Sequence, residues 1–324
     1  MSALLRTLMV CLLLVPVLGH SAPRGWSEYP APGRLVPVGD HMLHLHCTGT
    51  GSPLVVLESG LGGTNLDWTF VQPKIAGITR VCSYDRAGHG WSERGPAPRT
   101  SAVFISELAQ LLHNALEAPP YIMVGHSLGG FTARGYAHFF PDQVAGLVMV
   151  DSSHEQQFQA IAAAGYAKPL VPSRQKGFVI GNSYSIPAGI PAELRSVAQR
   201  LAILPDAVRT LYDELGAMQL SARQAVTWLT LPDIPLVVLA HDSRTQARSD
   251  KARRMAQQWL QLQRELAERT PQGRFQLVPA SGHFIQLDQP DVVNEAIREV
   301  VATARCTAHG DVYTGIHPRI CARR

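Results

Sequence analysis

The sequence predicts an α/β protein in which a mostly parallel sheet carries helices on both faces. Short continuous apolar runs, such as residues 53–58 and 144–150, are typical of strands that are buried on both sides. Stretches of helical length with amphipathic spacing, such as residues 100–116, separate these runs. Strands and helices that alternate along a chain form mostly parallel sheets with a helical layer on either side.

The remaining elements keep this alternation up to residue 151 and resume it near residue 234. Further strands are predicted at residues 41–46, 78–84, 121–124, 234–240 and 275–279, and further helices at residues 128–140, 248–269 and 291–302. Residues 152–231 contain helical segments but no convincing buried strand. We therefore interpret residues 33–151 and 232–303 as one core, residues 152–231 as a helical cap inserted between two strands, and residues 304–324 as a C-terminal tail.

The first 22 residues have the pattern of a secretory signal peptide. Arg6 precedes a short apolar stretch at residues 8–18, and the small residues Gly19 and Ala22 offer cleavage positions. No stretch reaches the roughly 18 apolar residues that a membrane span requires. The sequence thus predicts an exported protein, periplasmic or secreted, with no transmembrane domain.

Export would place the cysteines in an oxidising compartment. Loss of Cys11 with the signal peptide leaves four cysteines, an even number that favours disulfides. A Cys306–Cys321 pair would staple the short tail and leave Cys47 and Cys82 as the second pair. The alternative is that Cys47 and Cys82 are buried free thiols. No cysteine–histidine cluster has the spacing of a zinc site, so no metal is predicted.

Composition narrows the range of partners. Hydrophobic residues make up 46% of the 324-residue chain and charged residues 17%, which is too apolar for a disordered protein. The formal net charge of +4 is small, and no basic stripe is interleaved with aromatic residues, so no nucleic-acid partner is expected. We predict a small-molecule substrate and no cofactor, and the oligomeric state stays open.

The strongest chemical signal is Gly-His-Ser-Leu-Gly at residues 125–129. The motif stands between an apolar strand and a helix, and its glycines permit the tight turn that lifts a serine hydroxyl off a sheet. The N-terminus of the following helix directs backbone N–H groups at developing negative charge. Ser127 is therefore the predicted nucleophile, and a purely structural glycine-rich turn is the alternative.

A serine hydroxyl needs a base, and His283 is the best placed of the 13 histidines. It stands between the strand at residues 275–279 and the last predicted helix, on a loop at the carboxyl edge of the sheet. His126 is too close to Ser127 in sequence to act as the base. We expect structural or substrate-facing roles for three histidines on loops that border the site: His89, His154 and His241.

The carboxylate that should receive the other imidazole N–H has two candidates. Asp151 and Asp242 each stand at the end of a predicted strand, at the edge of the sheet where catalytic groups gather. Either aspartate could instead cap a helix. The residues alone leave both candidates open.

Three stretches carry a resemblance to a known family. They are Tyr-Asp-Arg-Ala-Gly-His-Gly-Trp-Ser at 84–92, Gly-His-Ser-Leu-Gly-Gly at 125–130 and Ser-Gly-His-Phe-Ile-Gln-Leu-Asp-Gln-Pro at 281–290. With these stretches the chain resembles the α/β-hydrolases from about residue 34 to residue 302, and most closely a bacterial, secreted serine hydrolase and esterase branch. The resemblance implies an eight-stranded, mostly parallel sheet with an inserted helical cap, Ser127 as nucleophile and His283 as base.

The same resemblance bears on the acid and on the oxyanion hole. Many relatives place the acid after the strand that precedes the histidine strand, which matches Asp242, but this chain lacks the glycine that usually closes that strand. A substantial minority place it one strand earlier, which matches Asp151. We favour Asp151 and keep Asp242 as the alternative. The implied oxyanion donors are the backbone N–H groups of Leu128 and of Leu61, which stands in a Ser-Gly-Leu turn where the family has His-Gly-x.

The predicted reaction is hydrolysis of a carboxylic ester through an acyl-enzyme intermediate. A serine in this turn argues against the related dehalogenases and epoxide hydrolases, which use an aspartate nucleophile. One alternative is an amidase or aminopeptidase, in which the cap would present a carboxylate cluster to a free amine. That cluster would be drawn from Glu193, Asp206, Asp213 and Glu214. The other alternative is a non-catalytic binding protein, which a broken triad would mark.

Overall fold

The structure is a computed structural model that describes residues 29–166 and 187–308, apart from the side chains of residues 245, 246 and 308. By its internal contacts the chain divides into Met1–Pro30 and Ala31–Arg324, and the architecture below belongs to the second unit. The predicted signal peptide at residues 1–22 lies outside the described residues, and so does Cys321. Within the described ranges, no helix is both long and apolar enough to span a membrane.

The described residues centre on an eight-stranded sheet with the strand order β1-β2-β4-β3-β5-β6-β7-β8. The strands are β1 Arg34–Val38, β2 His41–Thr48, β3 Leu54–Glu58, β4 Val81–Tyr84, β5 Tyr121–His126, β6 Val144–Val150, β7 Leu236–His241 and β8 Gly273–Val278. Strand β2 pairs antiparallel with β1 and with β4, whereas all other neighbours are parallel. The predicted fold class is confirmed.

Helices cover both faces of this sheet. They are α1 Gln72–Ala76, α2 Ser101–Asn114, α3 Gly129–Phe139, α4 Gln157–Ala163, α5 Ala192–Ala202, α6 Pro205–Ala225, α7 Asp250–Ala267, α8 Ile285–Asp288 and α9 Pro290–Ala308. Successive strand residues face opposite sides, so Met123 of β5 packs in the core beneath α2 and α3, whereas Ile122 and Val124 pack in the core beneath α1 and α9. The central strands are continuously apolar because each face of the sheet packs into one of these two cores.

The segment between β6 and β7 contains α4, α5 and α6 and, in its described part, no strand. The helical cap that the sequence predicts at residues 152–231 falls within this segment, and we use the name cap for the segment. Helix α6 begins with Pro205 at its first turn and buries one stripe along its length. Glu214 lies in that stripe, at a position where an apolar side chain would be expected.

One predicted disulfide is present. Cys47 of β2 and Cys82 of β4 stand directly opposite each other in the antiparallel pair and are bonded. The free-thiol alternative for this pair is therefore wrong. The Cys306–Cys321 pair stays a prediction because Cys321 lies outside the described residues.

Two element boundaries differ from the prediction by three residues or more. Strand β4 begins at Val81 rather than at residue 78, because the amide groups of Ile78 and Thr79 bond back to the carbonyl of Ile75 and close the turn after α1. Helix α9 runs to Ala308, so the last helix extends past the predicted end of the core at residue 303.

Candidate active site

Ser127 occupies a strained turn between β5 and α3. Its φ of +50° lies in the left-handed region, which a non-glycine residue adopts only when its surroundings enforce it. The Ser127 N–H donates to the carbonyl of Val150 at 3.1 Å, and the N–H of Ser153 donates to the Ser127 carbonyl at 2.8 Å. These bonds join the turn to the end of β6, and the serine is half-buried there.

The glycines of the motif are required by close backbone packing. A β-carbon at Gly125 would lie 2.7 Å from the carbonyl oxygen of Gly129. A β-carbon at Gly129 would lie 2.6 Å from the carbonyl oxygens of Glu58 and Ser59. The pattern of small residues therefore follows from how tightly α3 is packed against β5 and the loop after β3.

Asp151 follows β6 directly and is fully buried. Its Oδ2 atom accepts a hydrogen bond from Nδ1 of His283 at 2.5 Å, and its Oδ1 atom accepts one from the indole N–H of Trp259 at 2.9 Å. Burial by itself raises the pKa of Asp151, but hydrogen bonds from His241 and His283 outweigh it, so this pKa lies well below the usual range. The carboxylate is thus held in its charged form beside an imidazole.

His283 stands on the turn after β8, as the sequence predicts, and its side chain is 40% exposed. The ring of His126 packs against it with a centroid distance of 4.7 Å, and Nε2 of His126 donates to the His283 carbonyl at 3.0 Å. Burial, together with the nearby charge of His283, lowers the pKa of His126 to about 3, so His126 is neutral. His126, which directly precedes Ser127, therefore links the serine turn to the loop that carries His283.

Asp242, the alternative acid, is engaged elsewhere. Its carboxylate accepts hydrogen bonds from Nε and Nη2 of Arg244, each at 2.8 Å, and it caps the 3₁₀ turn Ser243–Gln246 through the Arg244 N–H. The hydrogen bond from the Arg244 side chain lowers the pKa of Asp242. The structure thus brings Asp151, and not Asp242, into hydrogen-bond contact with His283.

The loop after β3 lies directly against the serine turn. A β-carbon at Gly60 would lie 3.1 Å from Cβ of Ser127 and 2.8 Å from Nδ1 of His126. The loop closes on itself through the Gly63 N–H, which donates to the Gly60 carbonyl at 3.1 Å. Leu61, the predicted oxyanion donor of this loop, follows directly after Gly60, and Leu128, the other predicted donor, is the N-cap of α3.

Two charged side chains hold this loop: Arg86, for which no role is predicted from the sequence, and Glu214, which the sequence offers only as part of a carboxylate cluster for a free amine. Arg86 donates from Nη1 to the carbonyl of Ser59 at 2.6 Å and from Nη2 to the carbonyl of Gly60 at 2.5 Å. Glu214 of the cap helix α6 accepts from the N–H of Gly62 at 3.1 Å and from Nε of Arg86 at 2.9 Å. The loop is therefore clamped from the core by Arg86 and from the cap by Glu214.

The clamp is a buried ionic network. Arg86 also donates to Glu58 at 2.7 Å, and the side chains of Glu58 and Glu214 are fully buried. Burial raises the pKa of Glu214, but the charges of Arg86 and His89 outweigh it and lower this pKa. Burial dominates at Glu58, whose pKa is raised despite Arg86. Two signals in the sequence point to these residues. Arg86 lies in the 84–92 stretch of the resemblance, and Glu214 is the one charged residue in the buried stripe of α6.

A cavity opens between this loop, the cap and the histidine loop. Its lining includes Gly62 and Gly63 of the loop, Leu201 of α5, Ala207 of α6 and Phe284, which follows His283. Most of the lining is apolar, so the space beside the histidine suits an apolar group.

Among the described residues, two groups bring three potential metal ligands within 4.8 Å of one another. In one of them the two cysteines are Cys47 and Cys82, which are bonded to each other. The other is Asp151 with His241 and His283, whose ring nitrogens are already hydrogen-bonded to the carboxylate. The disulfide accounts for the first arrangement, and the hydrogen bonds account for the second.

Comparison with known proteins identifies the family. Residues 54–296 match the model of the alpha/beta hydrolase family, which is most of the chain. This chain belongs to the alpha/beta hydrolase family. The prediction that the chain is an enzyme of the hydrolase class is confirmed by this family membership.

Individual relatives of this α/β-hydrolase are distant. An AB hydrolase superfamily protein of Gibberella zeae is 26% identical and is matched over 78% of this chain and 87% of its own length. An esterase from Thermogutta terrifontis superposes with a TM-score of 0.59 at 22% identity, over 84% of this chain and 98% of that chain. A mutant of the Vigna radiata epoxide hydrolase superposes with a TM-score of 0.66 at 13% identity, over 83% of this chain and 98% of that chain. These structural likenesses establish the fold alone.

Proposed function

We propose that this α/β-hydrolase is a serine hydrolase that cleaves a carboxylic ester through an acyl-enzyme intermediate. The observation that carries the proposal is the 2.5 Å hydrogen bond between His283 and the buried Asp151, next to the strained turn of Ser127. An imidazole held through Nδ1 by a carboxylate has its Nε2 atom available as a base. An aspartate nucleophile, which dehalogenase and epoxide hydrolase chemistry would need, is replaced here by Ser127.

The residues supply each step of the reaction. Ser127 Oγ attacks the ester carbonyl carbon while Nε2 of His283 takes its proton, and Asp151 stabilises the imidazolium that results. The backbone N–H groups of Leu61 and Leu128 stabilise the oxyanion. Collapse breaks the bond to the alkoxy group, which leaves as an alcohol with the proton from His283. A water molecule, deprotonated by His283, then attacks the acyl carbon. The bond from this carbon to Ser127 Oγ breaks, the carboxylic acid leaves, and Ser127 takes the proton back from His283.

The aminopeptidase alternative receives less support from the cap. A free amine would need an accessible carboxylate cluster, but the Glu214 side chain is buried and paired with Arg86 and His89. Asp213 pairs with Arg94. The apolar lining near His283 suits an uncharged acyl or alcohol group better.

The proposal is tested by labelling with a fluorophosphonate and by hydrolysis of p-nitrophenyl esters of graded chain length. We expect labelling of the native protein, none of Ser127→Ala, and a fall of about 10⁴ in kcat for Asp151→Asn. Asp242→Asn is the matched control and should keep its rate within a few-fold. An unlabelled native protein would overturn the proposal, and full activity of Asp151→Asn combined with loss in Asp242→Asn would transfer the acid role to Asp242.

We also propose that the protein is exported, to the periplasm or the medium. The Cys47–Cys82 disulfide supports this, because such bonds persist in oxidising compartments. Cell fractionation with N-terminal sequencing of the mature protein should find a chain that starts after Gly19 or Ala22. A full-length chain in the cytoplasmic fraction would contradict export.

A further inference from the structure

A second histidine is bonded to the carboxylate that holds His283. His241 ends β7, next to the end of β6, and its Nδ1 atom lies 2.7 Å from Oδ2 of Asp151. This is the same oxygen that accepts from His283 at 2.5 Å. The His241 backbone N–H approaches the other oxygen, Oδ1, at 3.3 Å. A serine triad needs only one histidine on its acid, so the proposed function leaves His241 unexplained.

When the ring of His241 takes up a proton, its hydrogen bond to Asp151 is kept, but the charge of the ring changes. Nδ1 can carry a proton in both the neutral and the charged ring, so His241 can orient Asp151 in either state. The charged ring places a second positive charge near His283, whose ring centroid is 6.3 Å away. Two imidazolium rings would then compete for one carboxylate oxygen, and their titrations would be coupled.

The surroundings of His241 favour its charged form. Four charged or titratable groups face it: Asp151 after β6, His283 after β8, the adjacent Asp242 and Asp288 of α8. A fifth, Arg244, is bound to Asp242. Helix α7 contributes the neutral indole of Trp259 to the same carboxylate. Burial lowers the pKa of His241, but the hydrogen bond to Asp151 and the three aspartate charges outweigh it and raise this pKa.

We propose that His241 is a positioning residue for the reaction, which fixes the Asp151 carboxylate and, once protonated, weakens the hold of that carboxylate on protonated His283. The inference rests on the proposed function, since it assigns His283 as the base. Its consequence is that the native enzyme keeps His283 unprotonated, and therefore active, to a lower pH than a triad without His241 would.

Two substitutions separate the hydrogen bond from the charge. His241→Asn keeps an amide donor near the Nδ1 position but cannot take up a proton. It should keep the plateau of kcat/KM within about threefold and move the acid limb of the pH profile up by about 1 pH unit, because the opposing charge near His283 is gone. His241→Leu also removes the donor and should lower the plateau about tenfold, as loss of an orienting partner does.

The matched control is His138→Asn, since His138 bonds only to the Thr230 carbonyl in the described contacts and lies outside the site. Its pH profile should superimpose on that of the native enzyme. Fluorophosphonate labelling of Ser127 from pH 4 to pH 9 gives a second profile that does not depend on ester binding. If the native enzyme is labelled and the His241→Asn profile coincides with it, the role of His241 is refuted while the proposed function stands. If the native enzyme is not labelled, the proposed function itself fails.

A second measurement covers the case in which a His241 variant does not fold. In Ser127→Ala, which leaves both histidines in place, NMR titration of the ring C–H signals should show His283 responding to two protonation steps, one of them shared with His241. A single independent step for each histidine would overturn the inference.

Discussion

Replacement of Glu214 by glutamine tests whether the cap holds the loop after β3, which carries Leu61, the proposed oxyanion donor. The carboxylate accepts from Nε and Nη2 of Arg86 at 2.9 and 3.2 Å and from the N–H of Gly62 at 3.1 Å. It also lies 3.2 Å from Nε2 of His89. Glutamine has nearly the same size but supplies one acceptor oxygen in place of two and directs an NH₂ group at donors. Part of this network must therefore open.

The expected loss of stability depends on the partners that Arg86 keeps after the substitution. Removal of one partner of a buried ion pair costs about 3–5 kcal/mol, and the lower end applies because Arg86 keeps Glu58 and two backbone carbonyls. We expect a loss of about 3 kcal/mol in the free energy of unfolding. If the release of Gly62 displaces the N–H of Leu61, the proposed oxyanion donor, by about 1 Å, kcat should fall about 100-fold, with a smaller change in KM.

The assay combines urea unfolding with ester hydrolysis under conditions in which the variant is folded. The matched control is Asp213→Asn, one residue away on α6, where the pair with a 37%-exposed Arg94 should contribute less than about 1 kcal/mol. The control should also keep its kcat. A Glu214→Gln protein with the stability and kcat of the native enzyme would refute the clamp, and a loss of stability without a loss of kcat would refute its role in the reaction.

Three further predictions concern stability. Replacing Cys47 and Cys82 together by serine should lower the free energy of unfolding by about 4 kcal/mol, given their separation of 35 residues, as measured by urea titration. Gly130→Ala should unfold at lower urea or fail to fold, because its β-carbon would lie 1.7 Å from a serine hydroxyl oxygen, whereas the control Gly216→Ala, in open space on α6, should gain about 0.5–1 kcal/mol. Burial raises the pKa of Asp67 to about 7, so the folded state binds this proton more tightly than the unfolded state and loses stability as pH rises from 3.8 to about 7. Asp67→Asn should therefore be more stable than the native protein at pH 8, by up to about 4 kcal/mol, and should lose this advantage near pH 3.5; an advantage that is constant with pH would contradict the assignment.

The local residue pattern was enough to predict an element wherever the residues of that one segment determine its structure. The apolar runs at β3, β5 and β6 are buried on both faces because parallel strands have helices on either side, so their composition indicates both the strand and its place. The predicted β4 was too long, because Ile78 and Thr79, whose β-branched side chains are typical of strands, close the turn after α1 instead.

The choice between the two aspartates shows where local pattern stops. Both Asp151 and Asp242 follow strands, and both stand at the carboxyl edge of the sheet. What separates them is the direction of each side chain after its strand: Asp151 turns inward at a φ of +44°, whereas Asp242 turns to cap the next 3₁₀ turn and binds Arg244. Asp151 and His283 are some 130 residues apart in the chain. A contact over such a distance produces no residue pattern in the sequence from which it could be predicted.

The sequence by itself determined the α/β class, the Ser127 turn and the placing of His283 after a late strand, because each depends on residues that are neighbours in the chain. The tertiary structure alone decided which carboxylate meets His283, that His241 meets the same oxygen, and that Arg86 and Glu214 hold the loop beside Ser127. These are contacts between charged or polar groups that are far apart in the sequence. They form only in the packed interior, because each buried charge needs a partner and distant parts of the chain supply it.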